Sequence, residues 1–168
     1  MRIISCDPSH AAAILAIFND EIENSTSIYD YEARTMDYMR DWFASKARGG
    51  YPVLGAVNED GVLAGFATFG PFRNWPAYQY TVEHSVYVAS AFRGRGISKL
   101  LMGAIIETAR SHGCHVMVGV IDAANTISKR LHERFGFELA GTIRHAGYKF
   151  DRWLDVDFYQ LVLQPEAA

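Results

Sequence analysis

Residues 81–98 read TVEHSVYVASAFRGRGIS, and this stretch decides the fold class. Apolar side chains alternate along Tyr80–Val88, which is the pattern of a strand with one buried face. The turn Arg93–Gly96 follows, and an amphipathic helix is predicted from Ile97 to His112. A strand, a glycine-rich turn and a helix N-terminus in this order gather backbone N–H groups on one concave surface, where the helix dipole favours a phosphate or diphosphate.

The spacing of this turn excludes two common phosphate-binding motifs. Glycine lacks the Cβ that would hold phosphate oxygens away from the amides, and Arg93 and Arg95 add positive charge. A Walker P-loop is excluded because Lys99 follows Ser98 instead of preceding it. A dinucleotide-binding motif is also excluded, because it needs three spaced glycines and an acidic residue after the next strand. On these residues alone, a plain strand-to-helix turn remains the alternative to a phosphate cradle.

Strand and helix patterns alternate along the rest of the chain and predict one mixed α/β sheet in a single domain, residues 1–168. Helices are predicted after Pro8, after Thr35 and between Thr126 and Gly136. Further strands are predicted at Arg2–Ser5, Val53–Val57, Leu63–Phe69, His115–Ile121, Phe137–Leu139 and Tyr148–Leu163. Loops are predicted at Asn24–Tyr31, Asn58–Gly61, Pro71–Tyr78 and Gly141–Gly147.

Composition excludes several classes of protein. The chain has 168 residues, 49% of them hydrophobic and 21% charged, so a disordered chain is excluded. No run approaches the roughly 20 apolar residues of a membrane span, and the start MRIISCDPSH does not resemble a secretory signal. The formal net charge of -3 argues against nucleic-acid binding.

The cysteines and histidines predict neither a disulfide nor a metal site. Cys6 and Cys114 are the two cysteines of the sequence, and we expect them to be buried thiols in a reducing cytoplasm. His112 and His115 bracket Cys114, but a structural zinc site needs a second ligand cluster, which the sequence lacks.

A second motif follows about 30 residues after the glycine-rich turn. Asn125-Thr126-Ile127-Ser128 leads through Leu131-His132 to Phe135-Gly136-Phe137. Together, Arg93–Ser98 and this motif resemble the GNAT acetyltransferase superfamily, which binds acetyl-CoA. The resemblance covers nearly the whole chain and implies a central mixed, mostly antiparallel twisted sheet with helices on both faces.

Three further stretches resemble one branch of that superfamily, the phosphinothricin and methionine sulfoximine N-acetyltransferases. They are Thr81–Val88, Leu131–Glu133 and Gly147–Val156. The branch implies acetylation of the α-amine of phosphinothricin, methionine sulfoximine or methionine sulfone, detoxification of such inhibitors, and a homodimer. Ser98 departs from the usual glycine or alanine, and His132 stands where many superfamily members have a tyrosine.

The resemblance assigns acetyl-CoA binding to the end of the strand, the loop and the second motif. The assigned residues are Val86, Tyr87, Val88, Arg93, Gly94, Arg95, Gly96, Ile97, Ser98, Asn125 and Ser128. A backbone N–H of Val86 or Val88 would stabilise the oxyanion of the tetrahedral intermediate.

Two side chains are candidates for proton transfer. The α-amine of an amino acid is mostly protonated at neutral pH, so a base must remove its proton, and Glu83 is the candidate. A surface ion pair with an arginine is the alternative role for Glu83. His132 is the candidate that protonates the departing CoA thiolate or relays a proton, and simple packing is its alternative role.

The amino-acid carboxylate is assigned to Arg73, since a planar guanidinium binds a carboxylate through two hydrogen bonds. The neighbouring rings of Phe72, Trp75 and Tyr78 would form an apolar wall, or alternatively a dimer contact or the core of the loop. Ile28 and Tyr31 are expected to close the same pocket.

We expect direct acetyl transfer in a ternary complex, because neither cysteine forms an evident pairing with both a histidine and an acid. Two alternatives remain at this point. One is an acetyltransferase for peptide or protein N-termini, and the other is a module that binds acetyl-CoA without transferring its acetyl group.

Overall fold

The computed structural model describes residues 1–164, which form seven β-strands and four α-helices. The strands are β1 Arg2–Ser5, β2 Val53–Val57, β3 Leu63–Pro71, β4 Thr81–Val88, β5 Val116–Asp122, β6 Glu138–Lys149 and β7 Arg152–Val162. The helices are α1 Ala11–Asn24, α2 Met36–Gly49, α3 Ile97–Ser111 and α4 Thr126–Arg134. Among these residues, no helix has the length and the apolar character needed to cross a membrane.

The strands follow the order β1-β2-β3-β4-β5-β7-β6 in one sheet. The pairings β1–β2, β2–β3, β5–β7 and β6–β7 are antiparallel, and β4–β5 is parallel. The predicted fold class, a mixed α/β protein with a mostly antiparallel sheet, is therefore confirmed.

The chain divides into two compact units. The first comprises Met1–Gly70 and Ser85–Ile105, and the second comprises Pro71–His84 and the chain from Ile106 onward. Strand β4 contributes its first half to the second unit and its last half to the first. The single domain expected from the sequence stays a prediction.

Aromatic packing forms the core of the first unit. The ring of Phe18 on α1 lies 5.0 Å from Phe66 on β3, 5.6 Å from Trp42 on α2 and 5.6 Å from Tyr87 on β4. The T-shaped arrangement of these rings is the geometry that aromatic quadrupoles favour. This cluster fixes α1 against the strands that lead into the glycine-rich loop.

Local signals explain where the helices of the first unit begin and end. The Thr35 side chain accepts a hydrogen bond from Tyr38 N, and Gly50 ends α2 with a left-handed φ of 66°. Asp7 caps a 3-10 turn at Pro8–His10, so the helix predicted from Pro8 becomes α-helical at Ala11. The turn between β2 and β3 is closed by hydrogen bonds between Asn58 and Val62, as the Asp-Gly signal predicts.

The last two strands differ from the sequence prediction. The segment Gly141–Gly147, expected to be a connection, lies inside β6, where the register with β7 shifts twice. The predicted strand Tyr148–Leu163 is instead interrupted by a turn at Phe150 and Asp151, which have φ of 51° and 56°. Glycine-rich sequence indicated the turn at the wrong place, because the actual turn places two residues other than glycine in the left-handed region.

Candidate active site

The glycine-rich loop lies in the first unit, between β4 and α3. Gly94 and Gly96 have φ of 76° and 77°, which residues with a Cβ rarely adopt. Among the described residues, no atom lies within 4 Å of the place where a Cβ would stand on either glycine. The amides of Lys99 and Leu100 donate to Gly96 O, whereas the amides that begin the helix lack a carbonyl of the helix to reach. The loop therefore has open space at both glycines and precedes a helix N-terminus, a combination that fits a diphosphate.

The other predicted acetyl-CoA residues of the first unit surround this loop. Ile97, the first residue of α3, is buried. Arg95 is exposed, and its guanidinium lies 5.5 Å from the centroid of the Phe92 ring. The structure brings Arg93 to the end of β4, because Arg93 Nε donates to Val88 O over 3.2 Å. Arg93 also forms an ion pair with Glu21 on α1. Its positive charge is thus balanced by a carboxylate of the protein.

In the second unit, Glu83 and Arg73 influence each other. Glu83 lies on β4 at the last of three residue pairs with β5, opposite Val118. Burial raises the pKa of the Glu83 carboxyl, and the positive charge of Arg73 acts in the opposite direction. The two side chains therefore combine a partly buried carboxylate with a nearby guanidinium.

The loop around Arg73 brings together two of its predicted aromatic neighbours. The guanidinium lies 4.2 Å from the centroid of the Phe72 ring, and Nη1 donates to Phe72 O over 2.7 Å. The rings of Phe72 and Tyr78 meet edge to face, 5.7 Å apart. Trp75 is 74% exposed and projects from this cluster. Phe72 and Tyr78 thus form a surface beside Arg73.

Ile28 and Tyr31, in the first unit, have different surroundings. Ile28 is buried in the apolar core with Phe18 and Phe66. Tyr31 is 72% exposed. Their shared role in closing a pocket stays a prediction, and the burial of Ile28 gives it a packing role in the core.

The second motif begins helix α4 in the second unit. Asn125 caps this helix, since its Oδ1 accepts a hydrogen bond from Ser128 N over 3.0 Å. One turn later, Ser128 O lies 2.7 Å from Nδ1 of His132. The structure thus brings Asn125, Ser128 and His132 together through contacts within one helix. Their roles toward acetyl-CoA stay predictions.

His132 contacts a second buried histidine, His84, which belongs to neither of the two motifs' proposed acid or base positions. Nε2 of His132 lies 3.0 Å from Nε2 of His84 on β4, and both rings pack on Phe137. A carbonyl oxygen only accepts, so His132 Nδ1 carries a proton and donates it to Ser128 O. Neutral His132 then has a bare Nε2, which accepts the hydrogen bond from His84.

Burial keeps both imidazoles neutral. It lowers the pKa of His84, which His132 lowers further, and it lowers the pKa of His132 against the opposing effect of Ser128 O. Within residues 1–164, His84 Nδ1 is one of two buried side-chain atoms without a hydrogen-bond partner. The pair therefore occupies one tautomeric state, in which the Nε2 of His132 is already an acceptor.

A glycine makes room for this pair. A Cβ on Gly119 of β5 would stand 2.7 Å from His132 Nε2 and 3.1 Å from His84 Nε2. The sequence contained a signal for His84, because this residue occupies the apolar face of β4 together with Val82. A histidine at such a position needs a buried polar partner.

In the part of the chain that the structure describes, no group of three His, Cys, Asp or Glu side chains could hold a metal ion. Cys6 and Cys114 are both free and buried. Burial, and secondarily the Asp7 carboxylate, raises the pKa of the Cys6 thiol to about 11. Burial also raises the pKa of Cys114. Neither cysteine is thus a ready thiolate.

Comparisons with known proteins give a matching family model and similar sequences. A model of the Acetyltransferase (GNAT) family matches residues 14–137. An L-methionine sulfoximine/L-methionine sulfone acetyltransferase of Pseudomonas aeruginosa is 44% identical over 155 residues, which cover 92% of this chain and 90% of that protein. A phosphinothricin N-acetyltransferase of Streptomyces coelicolor is 36% identical over 146 residues, covering 86% of this chain and 85% of that protein.

A solved structure from Salmonella typhimurium, which contains its cofactor acetyl-CoA, has the same fold. It superimposes with a TM-score of 0.95 at 39% identity, covering 100% of this chain and 96% of that chain. This similarity extends over both compact units.

Replacing Gly119 with alanine should destabilise the protein. The added Cβ must displace two buried rings that already fill their space, so we expect the free energy of unfolding to fall by about 1–3 kcal/mol. Urea denaturation at neutral pH measures this change.

The matched control is Gly141→Ala on β6, where no atom of the described residues lies within 4 Å of the place that a Cβ would take and φ is not left-handed. This variant should unfold like the wild type. Equal stability of the two variants would contradict the close packing of Gly119 against the histidines.

Proposed function

Because the chain belongs to the GNAT acetyltransferase family, we propose that it transfers the acetyl group of acetyl-CoA to the α-amine of a small amino-acid analogue. The substrates proposed are methionine sulfoximine, methionine sulfone and phosphinothricin, the compounds named for its relatives. The observation that carries this proposal is that Glu83 is partly buried in the same unit as Arg73, whose positive charge acts on the Glu83 carboxyl. An amino acid offers a carboxylate and an ammonium group on the same carbon, and these two side chains match both charges.

In this proposal, Glu83 removes the proton from the substrate ammonium group. Burial raises the pKa of Glu83 and so makes its carboxylate a stronger base than an exposed glutamate. The deprotonated amine then attacks the thioester carbon, the C–S bond breaks, and CoA leaves as a thiolate that takes up a proton. Glu83 acts either directly or through a water molecule.

Arg73 binds the substrate carboxylate. Its guanidinium is held by the Phe72 carbonyl and stacked near the Phe72 ring, which limits its rotamers before substrate arrives. The rings of Phe72 and Tyr78 supply an apolar surface for the short side chain of the substrate. Trp75, which is exposed, completes the proposed substrate surface of the second unit.

The main chain supplies the remaining contacts with acetyl-CoA. The amides of Gly94–Ser98 bind the diphosphate, and a backbone N–H of Val86 or Val88 stabilises the oxyanion. The ladder from β4 to β5 consists of three residue pairs that end at Glu83, which supports this use of the later amides of β4. Asn125 and Ser128 belong to the proposed acetyl-CoA set through the second motif.

Direct transfer in a ternary complex fits the buried thiols better than an acetyl-enzyme intermediate does. A thiol whose pKa is raised by burial is a poor nucleophile near neutral pH. The acetyl group therefore passes from sulfur to the substrate nitrogen in one enzyme complex.

The role of His132 as the acid that protonates the CoA thiolate requires a change in its partner. Its Nε2 accepts a hydrogen bond from His84 and carries no proton. His132 must therefore give up that contact and take up a proton at Nε2 before it can donate one to sulfur. Alternatively, the pair relays a proton: His84 takes one up at its bare Nδ1 and passes its Nε2 proton to Nε2 of His132, from which it reaches the thiolate. In either form His132 acts together with His84.

The proposed reaction detoxifies inhibitors that resemble glutamate or methionine, and its setting is the cytoplasm. Two buried free cysteines support a reducing compartment.

The proposed function is tested by measuring CoA thiol release with the purified protein. Methionine sulfoximine, methionine sulfone, phosphinothricin, ordinary amino acids and peptides with free N-termini are compared by kcat/KM. We expect the first three to be preferred and Glu83→Gln to lower kcat by about 10²–10⁴-fold. Glu59→Gln, in the exposed turn before β3, is the control and should retain wild-type kcat.

Two outcomes would overturn the proposed function. Preference for peptides would favour an N-terminal acetyltransferase, and binding of acetyl-CoA without thiol release for any amine would favour a non-catalytic module.

Arg73→Met should change the pH dependence in a defined direction. The base must be ionised, so kcat/KM rises with pH through the pKa of Glu83. The Arg73 charge holds that pKa down against burial, and its removal raises the pKa further. The rising, low-pH part of the kcat/KM profile should therefore move to higher pH. The KM for the amine should also rise, because the substrate carboxylate loses its proposed partner. If the pH profile does not move, Arg73 does not act on the catalytic base. Arg2→Met on β1 removes the same charge elsewhere and is the control.

We also propose that the protein is a homodimer that uses the exposed β6–β7 surface. Large apolar side chains are exposed there, namely Leu139, Ile143, Tyr148, Phe150 and Trp153. Trp153 stacks on His145 and meets the Tyr148 ring edge-on, which gives this surface fixed aromatic geometry.

Light scattering in solution should give twice the 18.8 kDa mass of the chain. Trp153→Glu should convert the dimer to monomers, whereas Val62→Glu, at an exposed apolar residue of the first unit, should not. A monomeric wild-type protein would overturn this assignment.

A further inference from the structure

Glu21 is a buried acidic residue on the apolar face of α1. It follows Ile14, Ile17 and Phe18 at helical spacing, where a hydrophobic side chain is expected. Its residue is 7% exposed. Burying a carboxylate is costly unless its oxygens are paired, so its partners explain why it is tolerated there.

Both carboxylate oxygens of Glu21 have a partner. Oε1 lies 2.7 Å from Nη2 of Arg93, and Oε2 accepts a hydrogen bond from Ser25 Oγ over 2.6 Å. Asp20 also approaches Arg93 Nη2, at 3.6 Å. Ser25, just after α1, thus orients the carboxylate toward the arginine.

A second hydrogen bond of the Arg93 guanidinium connects the loop to the end of β4. Its Nε donates to Val88 O over 3.2 Å, so one guanidinium joins the end of β4, the first residue of the loop and helix α1. Gly94, which follows directly, has a left-handed φ, and its amide direction depends on how Arg93 is held. All these residues belong to the first compact unit.

We propose that Glu21 is a positioning residue for acetyl-CoA, which holds the loop Arg93–Ser98 in its binding conformation through Arg93. In this role, Arg93 anchors the loop, and the backbone amides contact the diphosphate. The proposal deepens the proposed function, because the ligand of the loop is the acetyl-CoA of that reaction.

Simple electrostatics makes the opposite prediction. A carboxylate close to a diphosphate repels it and also neutralises an arginine that would otherwise bind phosphate. If Arg93 contacted phosphate directly, removal of the Glu21 charge would strengthen binding. If Arg93 anchors the loop, removal of that charge weakens binding. The sign of the change therefore distinguishes the two roles.

The experiment measures binding of CoA by calorimetry and steady-state kinetics with acetyl-CoA. For Glu21→Gln we expect the Kd for CoA and the KM for acetyl-CoA to rise about tenfold, the loss of one hydrogen bond between charged groups. At saturating acetyl-CoA, kcat should stay within about twofold of the wild type, because no group at the reacting atoms is altered.

Ser25→Ala provides a second variant that keeps all charges. It removes the bond that orients Oε2, and a weaker effect in the same direction is expected. Thermal unfolding of each variant shows whether it is folded. If Glu21→Gln does not fold, Ser25→Ala still tests the proposal.

Two controls separate anchoring from charge. Asp20→Asn removes a neighbouring carboxylate of the same helix at the longer distance, and it should change Kd by less than Glu21→Gln does. Asp37→Asn breaks an exposed pair with Arg40 on α2 and should change nothing.

A double-mutant cycle completes the test. The double variant Glu21→Gln, Arg93→Met should bind CoA no more weakly than the more affected single variant. The reason is that both substitutions break the same contact between Glu21 and Arg93. Tighter CoA binding by Glu21→Gln, or additive effects in the cycle, would overturn the proposal.

The CoA measurements need no amine. An inactive wild type would therefore overturn the proposed function without deciding the role of Glu21.

Discussion

The alternation of side chains along β4 is the constraint on which the site depends. Successive residues of a strand point to opposite faces, so Glu83 and His84 cannot share an environment although they are adjacent. His84 enters the core beside His132, and Glu83 takes the other face, within the influence of Arg73. The same strand ends at Val88, whose carbonyl oxygen accepts a hydrogen bond from Arg93 Nε. A shift of one residue in β4 would exchange the acid and the histidine and dismantle the site.

Burial acts on these polar groups in three different ways. It raises the pKa of Glu83, which suits a base, while Arg73 limits the increase so that the carboxylate stays available. It keeps the pair of histidines neutral and therefore able to bond to each other without repulsion. The buried Glu21 carboxylate is tolerated because an arginine and a serine hydroxyl each contact one of its oxygens. Each outcome follows from the partners available at the buried position.

Much of this arrangement follows from local sequence, and the rest requires tertiary structure. The glycine-rich turn, the helix after it and the Asp-Gly hairpin are short-range features, and the structure has all three. The turn at Phe150–Asp151 could not be located, because its residues adopt φ values that sequence assigns to glycine or asparagine. The histidine pair joins residues 48 positions apart, and the sequence alone does not specify such a contact.

The glycine-rich motif shows that a residue can match a motif position without having the contact that its charge suggests. Arg93 occupies the first position of the motif, and its charge alone suggests a phosphate contact. In the folded chain its partner is a carboxylate 72 residues earlier, placed by the packing of Phe18 on the core of the first unit. An arginine that already shares a short ion pair with a buried acid has less positive charge to offer a ligand. In the proposed role, the loop binds acetyl-CoA through main-chain amides, whose directions depend on α1. On this proposal, acetyl-CoA binding depends on the packing of the first unit as much as on the motif.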